Sequence, residues 1–163
     1  MADEASTAAA RRRKFLVVVD KSPEYKKALR FAARRAAHTG GVVSLLTVVS
    51  PADFQHWRSV EDAMREEAMD EAEKMLYDAA REVNHIAGLI PEVMVIEGKA
   101  SEVVMKLLKE DPDISILVLA SGTSREGPGP LVSMVAQQST QAYPIPVTIV
   151  PGVLSDEEID LLA

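Results

Sequence analysis

Cysteine is missing from the chain altogether. That excludes a disulfide framework, a zinc–thiolate centre and a thiol nucleophile. Aromatic residues are scarce, at 4% of the 163 positions, whereas 47% are apolar. A sizeable core can be buried, but Val, Leu, Ile, Ala and Met must build it. Positive charge is also short: 18 Lys and Arg stand against 25 Asp and Glu, for a net charge of −7. A nucleic-acid binder needs a basic face to neutralise phosphates, so no nucleic-acid partner is expected. No apolar run approaches the roughly 20 residues of a membrane span. Met1 to Ala10 lack the apolar stretch of a secretory signal. The expectation is a cytoplasmic protein without a membrane partner. His38, His56 and His85 lie far apart, with no metal-ligand spacing. They read as surface or helix-end residues, and no metal site is expected.

What is there fits one domain of ordinary size. Residues 1–13 read as a flexible arm. Arg11-Arg12-Arg13-Lys14 within and after it is either a solvated flank or a contact for an anionic surface or RNA. Beyond the arm, strand-like runs alternate with helical patterns. Phe15 to Val19 is a continuous β-branched run ending at Asp20, which suggests a strand covered on both faces. Ser22-Pro23-Glu24 reads as a helix start, with Ser22 as N-cap and Pro23 at the first helical position. Leu29, Ala32, Ala33 and Ala36 form its buried stripe, and Gly40-Gly41 ends it.

Val42 to Val49 reads as a second strand, stopped by Ser50-Pro51. A loop with Phe54 and Trp57 leads to the longest helix. There Val60, Met64, Ala68, Ala72, Met75, Leu76, Ala79 and Val83 recur at helical spacing. This stripe is a packed helix face or the wall of a ligand groove. Glu92 to Ile96 is a third strand, and Ala100 to Leu108 a helix broken by Asp111-Pro112-Asp113. Ile114 to Ala120 is a fourth strand. Leu131, Val132, Val135 and Ala136 mark another helix, and Val147 to Val150 a fifth strand. Residues 152–163 form an acidic tail, where Ser155 and Glu158 have capping-box spacing for a short helix.

This alternation predicts an α/β fold, a doubly wound parallel sheet of five strands with helices on both faces and right-handed crossovers. Ligands in such sheets bind at the carboxyl ends of strands beside a switch in strand order. Those ends are Asp20 after strand one and Ser121-Gly122 after strand four. Asp20 can accept hydrogen bonds from ribose hydroxyls or an adenine amino group. It can equally cap the coming helix or ligate Mg²⁺. The run from Ser121 to Pro130 holds Gly122, Gly127 and Gly129, the hydroxyls of Thr123 and Ser124, and the charge of Arg125. It is a surface loop or an anion-binding turn feeding a helix N-terminus near Ser133. Pro128 and Pro130 remove donors from it. Neither a G-x-x-x-x-G-K-[ST] segment nor a G-x-G-x-x-G after the first strand exists, and no G-x-S-x-G elbow either. No catalytic residue is expected, with slow ATP hydrolysis the alternative.

In several stretches the chain resembles the universal stress protein family. They are Val17-Val18-Val19-Asp20-Lys21-Ser22 with Ala28-Leu29, Val43 to Val49, Glu97-Gly98-Lys99-Ala100-Ser101-Glu102, Ile116 to Gly122, and Ile145 to Val150. The resemblance covers Lys14 to Val150 and implies a domain over residues 14–151. It implies strand order 3-2-1-4-5, the adenine nucleotide alpha hydrolase-like arrangement, with homodimers joined through strand five, Val147 to Val150. In one branch it also implies an ATP or AMP site, with Mg²⁺ only alongside bound nucleotide. The aspartate of that branch matches Asp20, flanked by Val18, Val19 and Lys21. The residue that packs on the base matches Val48. The pair after strand four matches Ser121 and Gly122, with Thr123 next.

The phosphate motif departs from the branch. It runs Gly, two residues, Gly, nine residues, Gly, then Ser or Thr, but Arg125 stands in the second glycine position here. The closing pair falls at Ser133-Met134, with a spacer about two residues short, and Met134 has no hydroxyl. Gly127 and Gly129 remain as an alternative turn. The implied function is a regulatory protein binding adenine nucleotide. The alternative is an interaction protein of the same fold acting through its dimer surface without nucleotide.

Overall fold

A computed structural model of the chain describes residues 12–51, 61–137 and 143–163. Strands and helices alternate: β1 (Lys14–Val18), α1 (Tyr25–Thr39), β2 (Val42–Val49), α2 (Glu61–Ala87), β3 (Glu92–Glu97), α3 (Ala100–Glu110), β4 (Ile114–Ser121), α4 (Pro130–Gln137), β5 (Val147–Pro151) and α5 (Asp156–Leu162). The strands form one parallel sheet in the order β3-β2-β1-β4-β5, as the resemblance implies. Residues 1–11, and with them most of the expected arm, lie outside the described residues, as do Phe54, Trp57 and Val60.

Continuous apolarity in β1 has the expected cause. Successive strand side chains point to opposite faces. Phe15, Val17 and Val19 enter one core with Val43, Leu45 and Val118, beneath α1, α2 and α5. Leu16 and Val18 enter the other with Leu46, Leu117 and Leu119, beneath α3 and α4. Both faces are therefore covered, so neither can be polar. On the first face α1 buries Ala28, Leu29, Ala32, Ala33 and Ala36. Four of the five are alanine, which lets the helix lie close to the sheet. Gly40 ends α1 in the left-handed conformation (φ 68°), with its N–H on the Ala36 carbonyl.

Two details differ from the sequence reading. The first strand's ladder ends at Val18, although the Val19 N–H still reaches the Leu46 carbonyl at 2.7 Å. The first helix begins at Tyr25, not at Pro23, and Ser22 does not cap it. Glu24 occupies the N-cap position without a side-chain cap bond. Asp20 captures Ser22 instead: its Oδ1 accepts from the Ser22 N–H at 2.9 Å and from the Ser22 hydroxyl at 2.5 Å. A short Asx-type turn thus outcompetes the cap.

The acidic tail folds back onto the domain. Ser155 and Glu158 form the capping box, with bonds of 3.2 and 2.8 Å. Ile159 is wholly buried in the first core. Asp160 accepts from Arg30 at 2.8 and 2.7 Å and from Arg34 at 3.2 and 3.4 Å, tying α5 to α1.

Candidate functional site

The crossovers through α1 and α2 lie on one face and those through α3 and α4 on the other, so the strand order reverses between β1 and β4. Chain leaving β1 and chain leaving β4 must diverge there, and a crevice opens at their carboxyl ends. In this molecule it is a cleft of about 1040 Å³. That lies at the upper end of small-molecule sites, which span roughly 300–1,000 Å³.

Val18 at the end of β1 and Val19 just after it, Val48 and Val49 from β2, and Leu119 and Ala120 from β4 line its base. The Thr47 hydroxyl donates to the Val19 carbonyl at 2.9 Å, satisfying the backbone where β1 leaves the sheet. Asp20 stands exposed at the rim. Ser22 occupies its Oδ1, and among the described residues no partner holds Oδ2. Lys21 reaches across the mouth to Glu71 of α2, Nζ to Oε1 3.2 Å, an exposed pair of small energetic weight.

One wall comes from α2. Met64, Ala68, Ala72 and Met75 line it, so the upper part of the methionine and alanine stripe borders the cleft. Its lower part, Leu76, Ala79 and Val83, is buried in the core. The packed-face reading describes the lower half of the helix, and the upper half borders the cleft. Tyr25, at the start of α1, adds a phenol. Burial pushes its pKa up, and the charges of Glu82, Asp78 and Asp20 add to this, so it stays protonated as a donor.

The opposite wall is the glycine-rich run and the start of α4. Gly122 bonds its N–H to the Pro128 carbonyl at 2.9 Å, and Gly127 bonds its N–H to the Ser124 carbonyl at 3.2 Å. The Glu126 N–H reaches the Ser124 hydroxyl at 3.3 Å. A Cβ on residue 122 would lie 2.8 Å from the Gly127 carbonyl oxygen, so the loop closes only around a glycine there.

Of the residues singled out from the sequence, Val18, Val19, Asp20, Lys21, Val48, Gly122, Gly127, Gly129 and Ser133 meet around the cleft. Ser121, Thr123 and Met134 are not on its wall. Ser121 turns towards the end of β5, where its hydroxyl accepts from the Gly152 N–H at 3.4 Å. Sequence reasoning missed Tyr25, Thr47, Glu67 and Glu71, and left open whether the α2 stripe borders a groove. The signal was there for α2: small and flexible side chains, rather than Leu or Val, at its stripe positions before Leu76. Chemically the site offers an apolar slot for a flat ring, a carboxylate at its rim for hydroxyl groups, and a phenol. Among the described residues no group of His, Asp and Glu is placed to hold a metal ion.

The model of the universal stress protein family matches residues 11–151. The chain belongs to that family. The universal stress protein UspA from Lactobacillus plantarum has a similar fold, with TM-score 0.70, 19% identity, 86% of this chain and 99% of that chain covered. A universal stress protein in complex with cAMP gives 0.57, 20%, 86% and 98%. The universal stress protein from Archaeoglobus fulgidus in complex with dAMP gives 0.59, 22%, 86% and 98%. No curated protein sequence matches the chain. Among the described residues no helix is long and apolar enough to cross a membrane.

Proposed function

We propose that this universal stress protein is a regulatory protein that binds an adenine nucleotide at the carboxyl ends of β1 and β4. The observation that carries the reading is the cleft itself, at the switch in strand order, with Asp20 at its rim and an apolar slot between Val48 and α2. The base packs between Val48 and the methionine-lined wall, and the Asp20 carboxylate accepts the ribose hydroxyls. Universal stress proteins of the same fold in complex with cAMP and with dAMP support the choice of an adenine ligand. Isothermal titration of the full chain with adenosine, AMP, ADP and ATP tests it. Heat from at least one of them at millimolar concentration or below is expected, and silence from all four removes the reading.

The protein acts as a homodimer joined through β5. This strand is a sheet edge, its residues Val147 to Pro151 carry no charge, and Ile149 is 39% exposed. An uncharged, apolar edge favours pairing with its own copy. Sedimentation should give twice 17.7 kDa at micromolar concentration; a monomer alone contradicts the pairing.

The self-bonded glycine run favours one second reading, an interaction protein that works through this surface without nucleotide. Adenine nucleotide released when the purified protein is denatured counts against it. Catalysis is not part of either reading. No histidine among the described residues lines the cleft. Any slow phosphate release should be the same in Asp20→Ala as in the parent protein.

A further inference from the structure

Resting on the nucleotide reading above, we propose that the cleft is charge-selective. It takes uncharged or singly charged adenine ligands, adenosine or a cyclic monophosphate, in preference to nucleoside triphosphates. The nucleoside half of the site fits such a ligand, and the phosphate half does not fit a triphosphate.

A phosphate cradle works by turning successive backbone N–H groups inward around an anion. In this loop three of the donors turn onto the loop's own acceptors. The Gly122 and Gly127 N–H groups are held by the Pro128 and Ser124 carbonyls, and the Glu126 N–H by the Ser124 hydroxyl. Pro128 and Pro130 have no N–H to give. The Gly127 carbonyl oxygen lies over Gly122 and presents negative rather than positive partial charge there. The Gly129 N–H and the positive end of α4, with the Ser133 hydroxyl beside it, still favour an anion, enough for one charge rather than several.

The side chains act in the same direction. Asp20, Glu24, Glu67, Glu71 and Glu126 line the cleft, and among the described residues Lys21 is the one cation on its wall. Lys21 is already paired with Glu71. Arg125, the cation of the loop, is exposed and stands off the wall. No described group of carboxylates is arranged to take a metal ion that could bridge to phosphates. A second negative charge on the ligand therefore meets net repulsion. Across roughly 8 Å of water, each such charge weakens binding by about two- to threefold, and salt screens the effect.

Titration calorimetry on the full chain at low and at physiological ionic strength tests the selectivity, using adenosine, cyclic AMP, AMP, and ATP with and without Mg²⁺. Adenosine and cyclic AMP are expected to bind at least about tenfold tighter than ATP at low salt, with the ratio narrowing as salt is added. Glu67→Gln and Glu71→Gln should each shrink that ratio by about threefold. ATP binding as tightly as adenosine, or Gln variants that leave the ratio unchanged, overturns the selectivity while leaving the nucleotide reading in place. If no adenine ligand binds, both fall together.

Discussion

The two faces of the sheet are unequally supported. Beneath α1, α2 and α5 the core takes five α1 residues, Leu76, Ala79 and Val83 of α2, and Ile159 of α5. Beneath α3 and α4 it takes Val104, Leu108 and, from α4, Val132 alone. The cleft inherits the difference. Its α2 wall continues a helix anchored two turns deeper in the core. The glycine-run wall is held by its own loop bonds and one buried valine. A ring bound against α2 meets a surface whose shape is set in advance. A phosphate that used the Gly122, Glu126 or Gly127 donors would have to break bonds that hold the loop together.

The largest expected contrast is in stability. Leu29→Ala on the heavier face should cost about 3–5 kcal/mol, and Leu108→Ala on the lighter face about 2–3 kcal/mol, read from urea denaturation midpoints. Equal losses, or a larger one at Leu108, would erase the asymmetry.

Next in size is a plug in the preset wall. Ala68 is half-buried and borders the cleft, so Ala68→Phe should project a ring into the slot. We expect adenosine affinity to fall by more than about tenfold while stability changes by less than about 1 kcal/mol. Unaltered affinity in calorimetry would move the base to another part of the cleft.

A smaller effect is expected at the clasp between α5 and α1. Asp160→Asn removes the charge that Arg30 and Arg34 share, and the partly exposed site limits the loss to about 0.5–1 kcal/mol. Faster proteolytic trimming of the tail, with the domain intact, is the accompanying sign. No change in either measurement would assign α5's docking to Ile159 alone.

The smallest effect is graded with pH and compares one clasp on each side. Hydrogen bonds from Arg30 hold the Asp160 carboxyl below its ordinary value. The charges of Arg30 and Arg34 add to this, and burial opposes it. At Asp111, after α3, burial alone would raise the carboxyl, but Lys14 and the Asp113 N–H bring it below the ordinary range. A carboxyl lowered in the folded state contributes stability that is whole above the unfolded value of 3.8 and fades as pH falls through the folded one. These groups should therefore contribute in full and without pH dependence to urea midpoints between pH 7 and 5, and the midpoints should drop below about pH 4, less steeply in Asp160→Asn. A midpoint that falls with the same slope in that variant would place the acid sensitivity elsewhere.

Much of this was legible beforehand. The doubly covered strands were written in Phe15 to Val19 and Ile114 to Ala120, because a short apolar run without alternation suits a strand buried on both sides. The capping box at Ser155 was legible because it is a contact between near neighbours. The start of α1 was not. Ser22 suits an N-cap, but its N–H and hydroxyl both donate to Asp20, two residues earlier, which holds it in a turn ahead of the helix. The α2 wall of the cleft was half legible, since a methionine at helical spacing has the same pattern whether it meets a core or a cavity.

The sequence by itself determined the order of strands and helices, the apolar faces that cover the sheet, and the net negative charge of the chain. Those follow from periodicity and composition, which act along the chain. Only the tertiary structure decided that the Gly122, Glu126 and Gly127 donors of the glycine run turn inward on their own loop. It alone brought Glu67 and Glu71 opposite Asp20 and docked the tail on Arg30 and Arg34. The glycine-run bonds join residues two to six positions apart and turn on the conformation of the loop. The other two depend on where distant segments stop in space, and a hydrogen bond or ion pair is won by the partner within about 3 Å, whatever its place in the sequence.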